Sequence, residues 1–300
     1  METFTLKAYA KVNLGLDVVK RLPNGYHQVK MIMQTVGIYD ELVFTKKEQG
    51  ITVTVEGEGL PEGCVPADEN NLIYKAARQM MEHYGVAEGI HIHLRKKIPV
   101  AAGMAGGSTD AAATYKGVNR MFRLGVTEEE ICQMAVQVGA DVPYCVKGGT
   151  ALSEGIGEIL TMLPDAPACH VLVAKPDIAV STKFVYENLH ADKLQYHPDI
   201  DGMVEAIGAG SLDGVTERMA NVLETVTIKA YPVIAQIKEL MEAHGAKRAL
   251  MSGSGPTVFG IYDQEEQARE GYQAMCRSGL ARQVFLTGFV NPAKEDGNAG

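Results

Sequence analysis

The run from Pro99 to Ala113, PVAAGMAGGSTDAAA, carries almost no side-chain volume and a single acidic group, Asp110. Glycine loses more backbone entropy on folding than any other residue, so a cluster of it marks a place where something approaches the main chain closely. The preceding GIHIHLRKKIP alternates with period two and reads as a strand. The alanine-rich residues that follow read as a helix with Ser108 as its N-cap. A strand, a loop stripped of side chains and a helix start together suit an anion, because the first helical turn offers unbonded N–H groups and a partial positive charge. A tight turn with close helix packing accounts for the same composition, and the run by itself does not separate the two. Three familiar phosphate-loop patterns fail. Ser108 stands five residues after Gly103 with no lysine beside it, GxGxxG does not occur here, and the chain has neither HRD nor DFG.

Elsewhere the periodicities predict an α+β arrangement rather than a regular βαβ repeat. FTLKAYAKVNLGLDVV, DELVFTKK and ITVTVEG read as strands. A helix capped by Asn71 carries Leu72, Ile73, Ala76, Ala77, Met80 and Met81 on one face and stops at Gly85. Thr127 and Glu130 form a capping box before a helix ending near Gly139. The second half opens with the strand CHVLVAKP, followed by expected helices at 182–190, 214–226 and 232–244, the last with Pro232 in its first turn. KRALMSGSGPTVFGIY reads as two strands around a glycine turn, QEEQAREGYQAMCRSG as a helix and QVFLTGFV as a strand. A boundary near 155 gives domains 1–155 and 156–292, with 293–300 as a flexible tail.

Composition excludes some functions. With 46% hydrophobic residues the chain can fill a core, while a net charge of −9 and no polybasic run argue against partners that are nucleic acids or membranes. The start, METFTLKAYAKVNLGL, has an acid at position 2 and no apolar signal-peptide region, and no apolar run reaches transmembrane length. Five cysteines without a CxxC read as reduced, buried thiols of a cytoplasmic protein. His91 and His93 share a strand face, but without a third ligand nearby they read as a half-exposed face, so no side-chain metal site is expected. The acidic run at 128–130 suits a helix N-terminus.

KIPVAAGMAGGSTDAA resembles the second motif of the GHMP kinases, AYAKVNLGLDV their first and MSGSGPTVFGIY their third, in the family's order and over nearly the whole chain. The resemblance implies two domains, an N-terminal ribosomal-protein-S5-domain-2-like nucleotide domain and a C-terminal domain of ferredoxin-like type. It further implies a small-molecule kinase, monomer or homodimer, using ATP with Mg²⁺. Pro99, Val100, Ala101, Ala102, Gly103, Met104, Ala105, Gly106, Gly107, Ser108 and Thr109 would then surround the ATP phosphates. Ser252, Gly253, Ser254 and Gly255 would pack beside that loop and help to position the substrate. Asp141, in GADVP, takes the role of general base, and Lys11 that of a cation which orients the base and polarises the acceptor hydroxyl. Read without the resemblance, Asp141 is a turn aspartate between Gly139 and Pro143, and Lys11 a snorkelling strand lysine.

LPNGYHQVKMIMQTV, GADVPYCVKGGTALSEGIGE and KPDIAVSTKFVY are similar to one branch of the family, which phosphorylates a cytidylylated alcohol. That likeness implies a cytosine slot with Tyr26 and Tyr186 on its two faces and His27 at the base edge, Thr182 nearby, and Asn13 hydrogen-bonding close to the reacting centre. Other members of the family, acting on mevalonate or homoserine, and a silent nucleotide-binding regulator on the same scaffold are the rival readings. Departures from the pattern are Met104, Thr109 and Ala105, where leucine, serine and glycine are commoner, and MANVLE, which matches an NDLE element only loosely.

Overall fold

Two long strands, β1 (Thr3–Arg21) and β2 (His27–Lys47), open the chain and pair with each other. The structure is a computed structural model and describes residues 2–23, 25–60 and 63–295. It divides into two compact units, neither contiguous in sequence. The first comprises Met1–Ala10, Ile38–Val100 and Ala105–Lys147; the second comprises Lys11–Gly37, Ala101–Met104 and Gly148–Gly300. A single linear boundary near 155 does not describe this division, because β1, β2 and the small-residue loop each contribute to both units.

In the first unit, β3 (Ile51–Glu56) lies parallel to β4 (Gly89–Arg95), and β4 runs antiparallel to the Glu41–Lys47 part of β2. The helices α1 (Leu72–His83), α2 (Gly106–Phe122), α3 (Glu128–Ala135) and α4 (Val142–Lys147) pack with these strands around Leu42, Phe44, Ile73, Met80, Ile92, Tyr115 and Val118. Helix α2 is buried continuously from Thr109 to Tyr115, hence its alanines. A side chain at Gly117 would lie 2.3 Å from the Phe44 ring, so α2 rests directly on β2. Asn71 caps α1 as expected, and the Thr127–Glu130 capping box is present at α3, which ends at Ala135 and continues as turns to Gly139.

In the second unit the Met31–Gln34 part of β2 pairs antiparallel with β5 (Thr150–Glu154), and β5 with β6 (Ile159–Met162). A separate four-stranded antiparallel sheet has the order β10–β7–β9–β8, built from β7 (His170–Lys175), β8 (Arg248–Met251), β9 (Val258–Tyr262) and β10 (Gln283–Gly288). Between β7 and β8 come α5 (Thr182–Asn188), α6 (Ile200–Gly208), α7 (Leu212–Arg218), α8 (Glu224–Ala230) and α9 (Val233–Ala243); α10 (Glu265–Ser278) joins β9 to β10. Taking α9 and α10 as the crossovers, this is the βαββαβ order of a ferredoxin-like unit. Val171, Val173, Phe259, Ile237, Met241 and Met275 fill its core.

Several expectations need correction. The single helix at 214–226 is two helices, because the backbone at 220–222 bonds to β1 instead: Leu16 N donates to Ala220 O at 3.0 Å and Val222 N to Leu16 O at 3.1 Å. Helix α2 begins at Gly106 with Ala105 in the N-cap position and no side-chain cap, so Ser108 is its third residue rather than its cap. Pro232 precedes α9 as its N-cap. Helices α4 and α6 and the β5–β6 pair were not expected from the sequence. The start of the presumed tail is ordered: α11 (Pro292–Glu295) follows Asn291, whose side-chain amide donates to Asp165 at 2.7 Å, and Lys294 pairs with the same carboxylate. Residues 296–300 lie outside the described residues. Of the five thiols only Cys132 is buried, and Cys276 is exposed.

Candidate active site

The loop between β4 and α2 holds three residues in the left-handed region: Ala101 (φ 51°), Gly103 (φ 72°) and Ala105 (φ 56°). At two of its glycines the missing side chain leaves room for protein packing. A Cβ at Gly103 would sit 2.2 Å from the carbonyl oxygen of Ser252, and one at Gly106 would meet the Lys96 ammonium at 3.0 Å and Ile98 at 3.1 Å. The volume missing at Gly106 therefore accommodates protein rather than ligand. Close backbone packing is thus shown, and it leaves the uncapped start of α2 as the feature suited to an anion. The first helical bond of α2 is Thr109 N to Ala105 O, at 2.9 Å, so the N–H groups of Gly106, Gly107 and Ser108 precede it.

In the second unit, the third motif lies against this loop. Ser252 Oγ donates to Gly103 O at 2.9 Å. Gly253 (φ 56°) and Gly255 (φ 88°) make the turn between β8 and β9. The hydroxyls of Ser254 and Thr182 hydrogen-bond at 2.8 Å, which joins one of the expected substrate residues to the motif. Two residues missed in the sequence hold the motif from its other side. Asn221 Nδ2 donates to the carbonyl oxygens of Met251 and Gly253, each at 2.8 Å, and Glu224 accepts from Met251 N at 2.8 Å and from Lys238 at 2.6 Å. The loosely matching NVLE stretch was the signal for both.

Lys11 is buried, 5% exposed, and does not snorkel. Its Nζ donates to Asn13 Oδ1 at 2.9 Å, as two side chains on one strand face should, and Asn13 Nδ2 donates to Met31 Sδ at 3.2 Å. At the start of β2 the His27 ring lies 5.1 Å from that of Tyr186, tilted by 37°. Burial first, and then the charge of Arg21, lower the His27 imidazole from its ordinary value, which favours the neutral ring. Tyr26 is 60% exposed.

In the first unit, Asp141 sits in the turn just before α4, where its carbonyl accepts from Cys145 N at 3.1 Å. That turn adjoins the start of α2, since a Cβ built at Gly139 would lie 4.0 Å from Ser108 Oγ. Behind the loop lies a charged cluster that the sequence did not reveal. Lys96 Nζ donates to Asp40 Oδ2 at 2.5 Å and to Asp110 Oδ2 at 2.7 Å, with all three residues buried. His91 and His93 face β3, where they hydrogen-bond to Thr52, Thr54 and Glu56.

Two units of this topology, a glycine loop leading into an uncapped helix and a third motif bonded to that loop define a small-molecule kinase scaffold. A family model for the GHMP kinase N-terminal domain matches residues 71–149 and one for the C-terminal domain matches 203–281. The chain belongs to the GHMP kinases. It is 52% identical, across 97% of its length and all of theirs, to the 4-diphosphocytidyl-2-C-methyl-D-erythritol kinase of Lachnospira eligens, and 48% identical over 96% of its length and 98% of theirs to that of Lachnoclostridium phytofermentans. A crystal structure of 4-(cytidine 5'-diphospho)-2C-methyl-D-erythritol kinase aligns with a TM-score of 0.81 at 29% identity, covering 95% of this chain and 99% of that one. Homoserine kinase from Cytophaga hutchinsonii aligns at 0.76 with 20% identity, covering 97% and 95% of the two chains, which shows the fold alone. Among the described residues no helix is long and apolar enough to cross a membrane.

Proposed function

We propose that this chain is an ATP-dependent kinase that transfers the γ-phosphoryl group to the 2-hydroxyl of 4-diphosphocytidyl-2-C-methyl-D-erythritol, in the cytoplasm, on the way to isoprenoid precursors. Near-full-length identity of 52% to a relative of that name carries the reading. Asp141 takes the proton of the acceptor hydroxyl as its oxygen attacks the γ-phosphorus, and ADP leaves. The buried ammonium of Lys11, positioned by Asn13, stabilises the developing negative charge on that oxygen. The phosphates lie over the first turn of α2 and the backbone of residues 99–109. Mg²⁺ arrives on the nucleotide, held largely by phosphate oxygens.

Tyr26 and Tyr186 stack on the cytosine, and the neutral His27 ring donates to or accepts from the base edge. Stacking supplies about 1–3 kcal/mol per base without discriminating between bases, and the edge contacts add the selectivity. Steady-state kinetics test the reading. Tyr26→Ala and Tyr186→Ala should each raise KM for the cytidylylated alcohol by roughly 5- to 150-fold, the range those energies span, with KM for ATP nearly unchanged. Comparable turnover of mevalonate or homoserine by the parent would refute the substrate assignment and leave only the family.

A further inference from the structure

The small-residue loop is closed at its base by three buried charges, all in the first unit. Asp40, on β2, accepts through Oδ1 from the amides of Lys97, at 2.5 Å, and Ile98, at 2.8 Å, where the chain leaves β4. Its other oxygen takes Lys96, and Lys96 reaches on to Asp110 in the second turn of α2. The absent Cβ of Gly106 makes this reach possible, because a side chain there would stand 3.0 Å from the Lys96 nitrogen. Residues 96–98 and 106–110, the two ends of the loop, are thereby tied to one ammonium.

From this geometry we propose that Asp40, Lys96 and Asp110 are positioning residues for nucleotide binding, setting the span of the phosphate loop from behind without touching the ligand. The proposal rests on the kinase reading above. All three are at most 8% exposed. The cluster is also imperfectly satisfied as a structural device. Two carboxylates share one ammonium, and Asp110 Oδ1 has no hydrogen-bond partner. Burial pushes the Asp110 carboxyl well above the usual carboxylate range, with Lys96 opposing and Asp40 adding to the effect. A buried ion pair is often no more stabilising than apolar packing of the same shape, so its presence calls for a reason beyond stability. Fixing the loop ends supplies one.

The test compares Asp110→Asn with the triple variant Asp40→Asn, Lys96→Met, Asp110→Asn, in which the charges are removed together so that none is left buried and unpaired. Mg-ATP affinity is measured by direct titration without acceptor, and fold by circular dichroism and melting temperature. Asp110→Asn should weaken Mg-ATP binding at least fivefold and the triple variant at least thirtyfold, while both stay folded and KM for the cytidylylated alcohol stays within twofold. Folded variants that bind Mg-ATP within twofold of the parent would overturn the proposal, whatever their melting temperatures, and so would a rise in both KM values together. Turnover of the cytidylylated alcohol by the parent, run alongside, tests the kinase reading separately.

Discussion

Lys11 illustrates how burial changes what a residue can do. Its neighbours in AYAKVNLGLDV are mostly apolar, and the strand holds the ammonium at 5% exposure with Asn13 accepting one of its hydrogens. A charge that has lost most of its water is retained only where something compensates, and the side-chain oxygen of Asn13 supplies part of that compensation. Asp141→Asn should lower kcat by about 10²- to 10⁴-fold with nucleotide affinity retained, because shape survives and the base does not. Lys11→Met should lower kcat as severely, and parental rates in either variant would remove that residue from the mechanism. Both expectations rest on contiguous motifs, GADVP and AYAKVNLGLDV. Asp110 was visible as the one acid in a run of small residues, but its partners Asp40 and Lys96 were not, since the pairing depends on β2 lying beside β4. Nothing local in the sequence records that register.

At the scale of elements, strand and helix periodicities were read well where a segment packs one face on its own unit, as in α1, α3 and the sheet β10–β7–β9–β8. They failed where tertiary bonding overrode local preference. The 214–226 helix breaks because residues 220–222 join β1, and no propensity within VTERMANVLE foretells that. The start of α2 was misjudged for a related reason: Ser108 is a good cap by type, but the bond from Thr109 N to Ala105 O already places it inside the first helical turn. An alanine there bears about 1–2 kcal/mol of strain that glycine avoids, against about 0.5–1 kcal/mol of extra chain entropy lost by glycine. Ala105→Gly should therefore stabilise the protein by about 0.5–1 kcal/mol, read as a raised midpoint in urea at unchanged slope. A lowered midpoint would mean that the left-handed turn is not formed in solution.

Across the whole molecule, the binding of ligand to the folded chain alone must raise its apparent stability. At a hundredfold excess of Mg-ATP over its dissociation constant the gain is about 2.7 kcal/mol, measured as a rise in melting temperature, and a concentration-independent melting curve would argue against a nucleotide site. The interleaved units have a different consequence, which concerns synthesis rather than catalysis. Every residue of the first unit has been made once Lys147 is added, whereas the second unit includes Lys11–Gly37 and Ala101–Met104, made early, together with Gly148–Gly300. At about 5–20 residues per second, the ribosome needs roughly eight to thirty seconds to add residues 148–300. Through that interval Lys11, Asn13, Tyr26 and His27 belong to a unit that does not yet exist. The Met31–Gln34 part of β2 waits through it for its partner β5, and a break in translation after the first unit would leave Lys11 without the rest of its unit.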